Sequence, residues 1–166
     1  NEHRNNILHM TIAPAEVSED VAKEAHELAL RLAQGFELAG ILAIELFVTK
    51  DERVIVNELA PRPHNSGHYT IEACSFDQFD AHIRGIAGWP LEQPELLKPA
   101  VMVNVLGQHV APTRALIAEH PEWNMHDYCK AEVRHDRKMG HITVLTDDTR
   151  QTVADLERTG CWDDLK

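Results

Sequence analysis

The stretch Ile41-Leu42-Ala43-Ile44-Glu45-Leu46-Phe47-Val48-Thr49-Lys50-Asp51-Glu52-Arg53-Val54-Ile55-Val56-Asn57-Glu58-Leu59 holds two β-rich runs around a polar tetrapeptide. Branched and apolar residues from Ile41 to Val48 and from Arg53 to Leu59, split at Thr49-Lys50-Asp51-Glu52, read as a β-hairpin without the favoured Asn-Gly turn. If the hairpin turns on Asp51-Glu52, Glu45 faces Glu58 directly across the pair. Like charges opposed in a sheet are destabilising. A hard divalent cation such as Mg²⁺ held by both carboxylates would relieve the repulsion. A solvent-facing Glu45 on an amphipathic strand would avoid it instead, and another turn would change the register. Both arrangements fit the pattern.

Outward from the hairpin, Ser18-Glu19-Asp20 precedes Val21, Ala25, Leu28, Ala29 and Leu32 at helical spacing, with Ser18 as cap and Gly35 as stop. After the second strand, Ala60-Pro61-Arg62-Pro63-His64-Asn65-Ser66-Gly67-His68 can be neither regular helix nor central strand, because Pro61 and Pro63 each remove a donor. A second helix is expected from about Ser75 to Ile86, with Phe79, Ile83 and Ile86 facing inward. Gly88 to Pro99 reads as a linker. Beyond it, Ala100 to Leu106 and His141 to Leu145 read as strands, Ala115 to Glu119 as a short helix and Thr152 to Arg158 as a terminal helix.

Composition narrows the function classes. The chain has 166 residues, 43% hydrophobic and 26% charged, enough apolar content for a core. Its net charge of -11 repels phosphate backbones and argues against nucleic-acid binding. No apolar run approaches the roughly 18 residues that span a membrane. Cys74, Cys129 and Cys161 are widely spaced with no Cys-x-x-Cys, as for reduced thiols in the cytoplasm. The polar opening at Asn1, without Met, reads as a domain boundary.

Two further clusters carry chemistry. Arg62, His64, Asn65, Ser66 and His68 crowd donors onto one loop, where a guanidinium fork and amide and imidazole groups suit a small oxyanion. A zinc reading of His64 and His68 lacks a third ligand. Lys130, Arg134, Arg137 and Lys138 concentrate positive charge in an acidic chain, as a phosphate anchor or as a solvated loop.

Asn57-Glu58-Leu59-Ala60-Pro61-Arg62-Pro63-His64-Asn65-Ser66-Gly67-His68-Tyr69-Thr70 resembles the signature of the 5-(carboxyamino)imidazole ribonucleotide synthase family of the ATP-grasp superfamily. The Pro-His-Asn-Ser-Gly-His part is its specific element. The Asn1 to Leu8 stretch and Arg137-Lys138-Met139-Gly140-His141 resemble further family motifs. The likeness weakens after about Thr146. It implies an α+β fold: residues 1–98 as the second lobe of an ATP-grasp module, an antiparallel sheet with helices, and residues 99–166 as a small β-rich C-terminal domain. It also implies a reaction of purine biosynthesis. ATP, bicarbonate and aminoimidazole ribonucleotide give ADP, phosphate and the N-carboxylated ribonucleotide by way of carboxyphosphate, with the N-terminal half of the enzyme outside this chain. A homodimer of the longer enzyme is compatible with the likeness.

Carried onto this sequence, the resemblance assigns Mg²⁺ to Glu45 and Glu58, and the nucleotide to Asn57, Glu58 and His3. It assigns the catalytic bicarbonate site to Arg62, His64, Asn65 and Ser66, and the substrate phosphate to Lys130 and Arg137. The chain departs from the family's Arg-Pro-Gly-Arg-Lys at Arg134-His135-Asp136-Arg137-Lys138. A formate-using relative would read Asp-Thr at Asn65-Ser66, and a biotin-type carboxylase would carry Glu-x-Asn-x-Arg. A non-catalytic module that kept the fold is the alternative from another class.

Overall fold

The structure is a computed structural model and describes residues 1–163. Its chain forms two compact units, one of residues Asn1–Pro14, Tyr69–Ser75 and Leu96 onward, the other of Ala15–His68 and Phe76–Glu95.

The first unit is built on an antiparallel sheet. Its strands are β1 (Glu2–Arg4), β2 (Ile7–Ala13), β5 (Ala100–Leu106), β6 (Asn124–Asp127) and β7 (Lys138–Leu145), in the order β1-β2-β5-β7-β6. The sheet therefore takes strands from both sides of the 98/99 boundary. Strands β1, β2 and β6 were not anticipated. The β1–β2 turn uses Asn5 and Asn6 at φ 49 and 62, the left-handed pair that a two-residue hairpin requires and Asn tolerates.

Every residue of β5 is buried, and alternation sorts them. Val101, Val103 and Val105 join Met10, Ile142, Val144, Trp123, Leu156 and Trp162 in one apolar cluster. On the other face, Asn104 pairs with His141, and His141 with His126. Asn104 donates to Leu8 O at 2.8 Å, so this buried amide ties β5 to β2.

The helices of this unit are α2 (Thr70–Ala73), α4 (Val110–Leu116) and α5 (Thr149–Arg158). The expected Ala115 to Glu119 helix is the tail of α4 and a 3₁₀ turn. Helix α5 starts three residues early because Asp148 accepts from Gln151 N at 2.9 Å as its cap.

The second unit holds α1 (Glu19–Gly35), the hairpin β3 (Ala43–Val48) and β4 (Val54–Ala60), and α3 (Gln78–Ala87). Ser18 caps α1 as expected, accepting from Val21 N. Helix α3 starts at Gln78, not Ser75, because Asp77 accepts from both Phe79 N and Asp80 N. Its inward face is also corrected: Phe79, Ile83 and Ile86 are 42%, 58% and 58% exposed, while Gln78 and Ala81 are buried. Gly40, at φ 100, lets the chain abut the helix, where a Cβ on Gly85 would come within 2.8 Å of Gly40 Cα. Among the described residues no helix is long and apolar enough to cross a membrane, and the three cysteines are free thiols.

Candidate functional site

Glu45 and Glu58 are direct partners on antiparallel β3 and β4, and they reach that position through a bulge. The turn is a three-residue loop, Lys50-Asp51-Glu52, with Glu52 at φ 57 and Thr49 N donating to Arg53 O at 3.0 Å. Its centre is Asp51, not the expected Asp51-Glu52 bond, so Val48 pairs with Val54 and Leu46 with Val56. Carried on unbroken, that register would set Asn57 against Glu45 and turn Glu58 to the other face. The extra residue, Asn57, shifts the register and brings Glu58 opposite Glu45. Asn57 Nδ2 donates to Glu45 Oε2 at 3.3 Å, so amide and carboxylate meet on one face. The Glu45 side chain is largely covered, while Glu58 is exposed.

The loop after β4 converges on the same place. His64 Nε2 lies 3.8 Å from Glu45 Oε1. His64 Nδ1 is 2.9 Å from Ser66 Oγ and accepts from Ser66 N at 3.4 Å, so the imidazole caps the 3₁₀ turn Asn65–Gly67. Arg62 is exposed, its Nη1 donating to Pro63 O at 3.1 Å. Thus Glu45, Asn57, Glu58, His64 and Ser66 come together. The Arg62 guanidinium rests on its own loop, and Asn65 lies in the 3₁₀ turn.

Gln78 was missed from the sequence. Its side chain accepts from His64 N at 2.8 Å, donates to His64 O at 2.9 Å and lies 2.8 Å from His68 Nδ1. Gly67 allows this approach, since a Cβ there would stand 2.6 Å from Gln78 Oε1. No local pattern marks a glutamine at the first position of a helix as a loop clamp.

The remaining expected residues lie in the first unit. His3 is an exposed β1 residue paired with Leu8. Lys130 Nζ donates to Lys138 O at 2.6 Å and sits 5.4 Å from the Tyr128 ring centroid. Arg137 Nη1 donates to Glu132 O at 3.2 Å. At the departure from the family motif the turn survives. Arg137 N donates to Arg134 O at 3.1 Å, with Asp136 at φ 58 in the place of glycine. Gln108 holds Asp136 by two 2.9 Å bonds, one to its backbone N–H and one to its carboxylate. Where this basic loop begins, Asp127 accepts from Cys129 N at 2.8 Å. That bond first, and Arg114 with it, holds the Asp127 carboxyl below its usual range.

An antiparallel hairpin with opposed carboxylates, followed by a donor-rich loop, is an ATP-grasp arrangement. Residues 1–79 match the ATP-grasp domain, and residues 100–155 match the phosphoribosylaminoimidazole carboxylase C-terminal domain. The chain is 48% identical over 157 residues to N5-carboxyaminoimidazole ribonucleotide synthase of Staphylococcus aureus (strain COL), covering 94% of this chain and 41% of that protein. The crystal structure of the Staphylococcus aureus synthetase complexed with ADP superposes with a TM-score of 0.92 at 46% identity, over 100% of this chain and 44% of that one. The Aspergillus clavatus synthase in complex with ADP and 5-aminoimidazole ribonucleotide gives 0.88 at 32% identity, over 99% and 45%. The chain belongs to the N5-carboxyaminoimidazole ribonucleotide synthase family and spans about two fifths of the length of the relatives it matches.

Proposed function

We propose that this chain carries the metal and bicarbonate side of an ATP-dependent ligase that carboxylates 5-aminoimidazole ribonucleotide in cytoplasmic purine biosynthesis. The products are ADP, phosphate and N5-carboxyaminoimidazole ribonucleotide. The observation that carries the reading is the bulge that sets Glu45 against Glu58 with Asn57 and His64 beside them. Two carboxylates at one site, with no Lys or Arg bonded to either among the described residues, fit a hard cation. Glu45 and Glu58 would hold Mg²⁺, with Asn57 orienting Glu45. The ion supplies charge neutralisation to the nucleotide phosphates.

The protein's own groups do the positioning. Arg62, His64, Asn65 and Ser66 hold the bicarbonate oxyanion, and a fixed set of donors aligns it for in-line attack without reorganisation. Lys130 and Arg137 take the ribonucleotide phosphate, and His3 contributes to nucleotide binding. The Asn65-Ser66 identity favours bicarbonate over formate as the small acid.

The test is phosphate release by a chain of the relatives' full length. Turnover should require ATP, bicarbonate and 5-aminoimidazole ribonucleotide together. Glu58→Ala should lower it by two to three orders of magnitude, about 3–4 kcal/mol of lost transition-state stabilisation, with the fold intact because Glu58 is exposed. Unimpaired turnover in the variant would remove the metal assignment.

A further inference from the structure

The hydrogen bonds around the loop fix more than its path. Gln78 is 7% exposed, so its amide must be satisfied within the protein. His64 N can only donate, so the Gln78 atom 2.8 Å from it is the oxygen. The nitrogen then faces His64 O at 2.9 Å and His68 Nδ1 at 2.8 Å, and it has one hydrogen for each. His68 Nδ1 therefore accepts, which leaves the ring proton on Nε2. Turning the amide over would break both bonds to the His64 backbone. His64 is set the same way from another source: Ser66 N can only donate to its Nδ1, so its proton also lies on Nε2, toward Glu45.

We propose that Gln78 is a positioning residue of the oxyanion loop, clamping the His64 backbone and locking His68 as the Nε2–H tautomer. It acts through the two histidines and touches no reactant. The tautomer assignment stands on geometry alone. The consequence for bicarbonate binding rests on the function proposed above.

Long-range ¹H–¹⁵N spectra of the histidine rings test the first part. In the unsubstituted protein both His64 and His68 should show a bare Nδ1 and a protonated Nε2. Gln78→Glu keeps an acceptor for His64 N but has no hydrogen for His68 Nδ1, so His68 should move its proton to Nδ1 while His64 keeps its tautomer. Phosphate release by a chain of full length tests the second part. Gln78→Glu and Gln78→Met should each raise the KM for bicarbonate about tenfold or more, with a smaller change in kcat. A protonated Nδ1 on His68 in the unsubstituted protein, or an unchanged His68 in Gln78→Glu, would overturn the proposal, and the first of these needs no variant to fold. Tautomers as stated in a full-length protein without bicarbonate-dependent turnover would support the clamp and reject the ligase reading.

Discussion

His9 gives the most direct test of the energetics of the first unit. It lies on β2 at 3% exposure, with Nδ1 buried and without a hydrogen-bond partner among the described residues. Burial is the main reason its pKa is lowered from 6.5 to about 4. The Arg4 charge adds to this, Glu2 opposes it, and His109 adds a smaller push. The folded protein therefore favours neutral His9 more strongly than the unfolded chain does. Stability is unaffected above pH 6.5, falls as pH drops toward 4, and bears the whole penalty below that. Linkage between the two values gives about 2 kcal/mol lost at pH 5 if the site is fully screened from solvent, and about 1 kcal/mol with partial solvation. Urea unfolding of the protein and of His9→Leu, at pH 7.5 and pH 5, isolates this term, since the other titrating groups are common to both. The stability difference between the two proteins should shift by about 1–2 kcal/mol in favour of His9→Leu on going to pH 5. A shift below about 0.5 kcal/mol would show that His9 meets solvent or a partner that the buried position excludes.

Substitutions at two further positions probe the same unit. Ile142→Ala, in the centre of the apolar cluster with no exposed surface, should cost about 2–5 kcal/mol in a denaturant melt, and a loss under 1 kcal/mol would mean the core collapses around it. Asp136→Ala gives up the Gln108 contact and puts a less tolerant residue at φ 58, so it should destabilise by about 1 kcal/mol, whereas Asp136→Gly should stay within about 0.5 kcal/mol of the parent in thermal unfolding.

Local rules are what the sequence by itself could settle. Helix α1 was legible because Ser18, two acids and a 3.6-residue apolar period agree. The hairpin was legible from two β-rich runs, and β5 from an apolar run interrupted only by Asn104. Glu45 and Glu58 stood out as charges within apolar text, and the loop through His68 as a dense set of donors on a backbone constrained by proline. Each of these depends on residues close in the chain, where propensity and spacing carry the information.

The tertiary structure decided matters that depend on distant partners. Strand β2 became part of the sheet only by pairing with β5, β1 only by pairing with β2, and β6 only by pairing with β7, because a half-polar or very short strand gains its hydrogen bonds from neighbours. The apolar stripe Phe79, Ile83 and Ile86 has helical spacing, yet period alone does not say which face a unit covers, and here that face is open. Opposition of Glu45 and Glu58 was anticipated from a turn on Asp51-Glu52, but it arises from a turn one register away together with a bulge at Asn57. Gln78 carried no signal at all, since its function as a clamp exists only once α3 packs beside the His64 backbone. The chemistry of the site was written in residue types along the chain, while its geometry waited on hydrogen bonds between residues that only folding brings together.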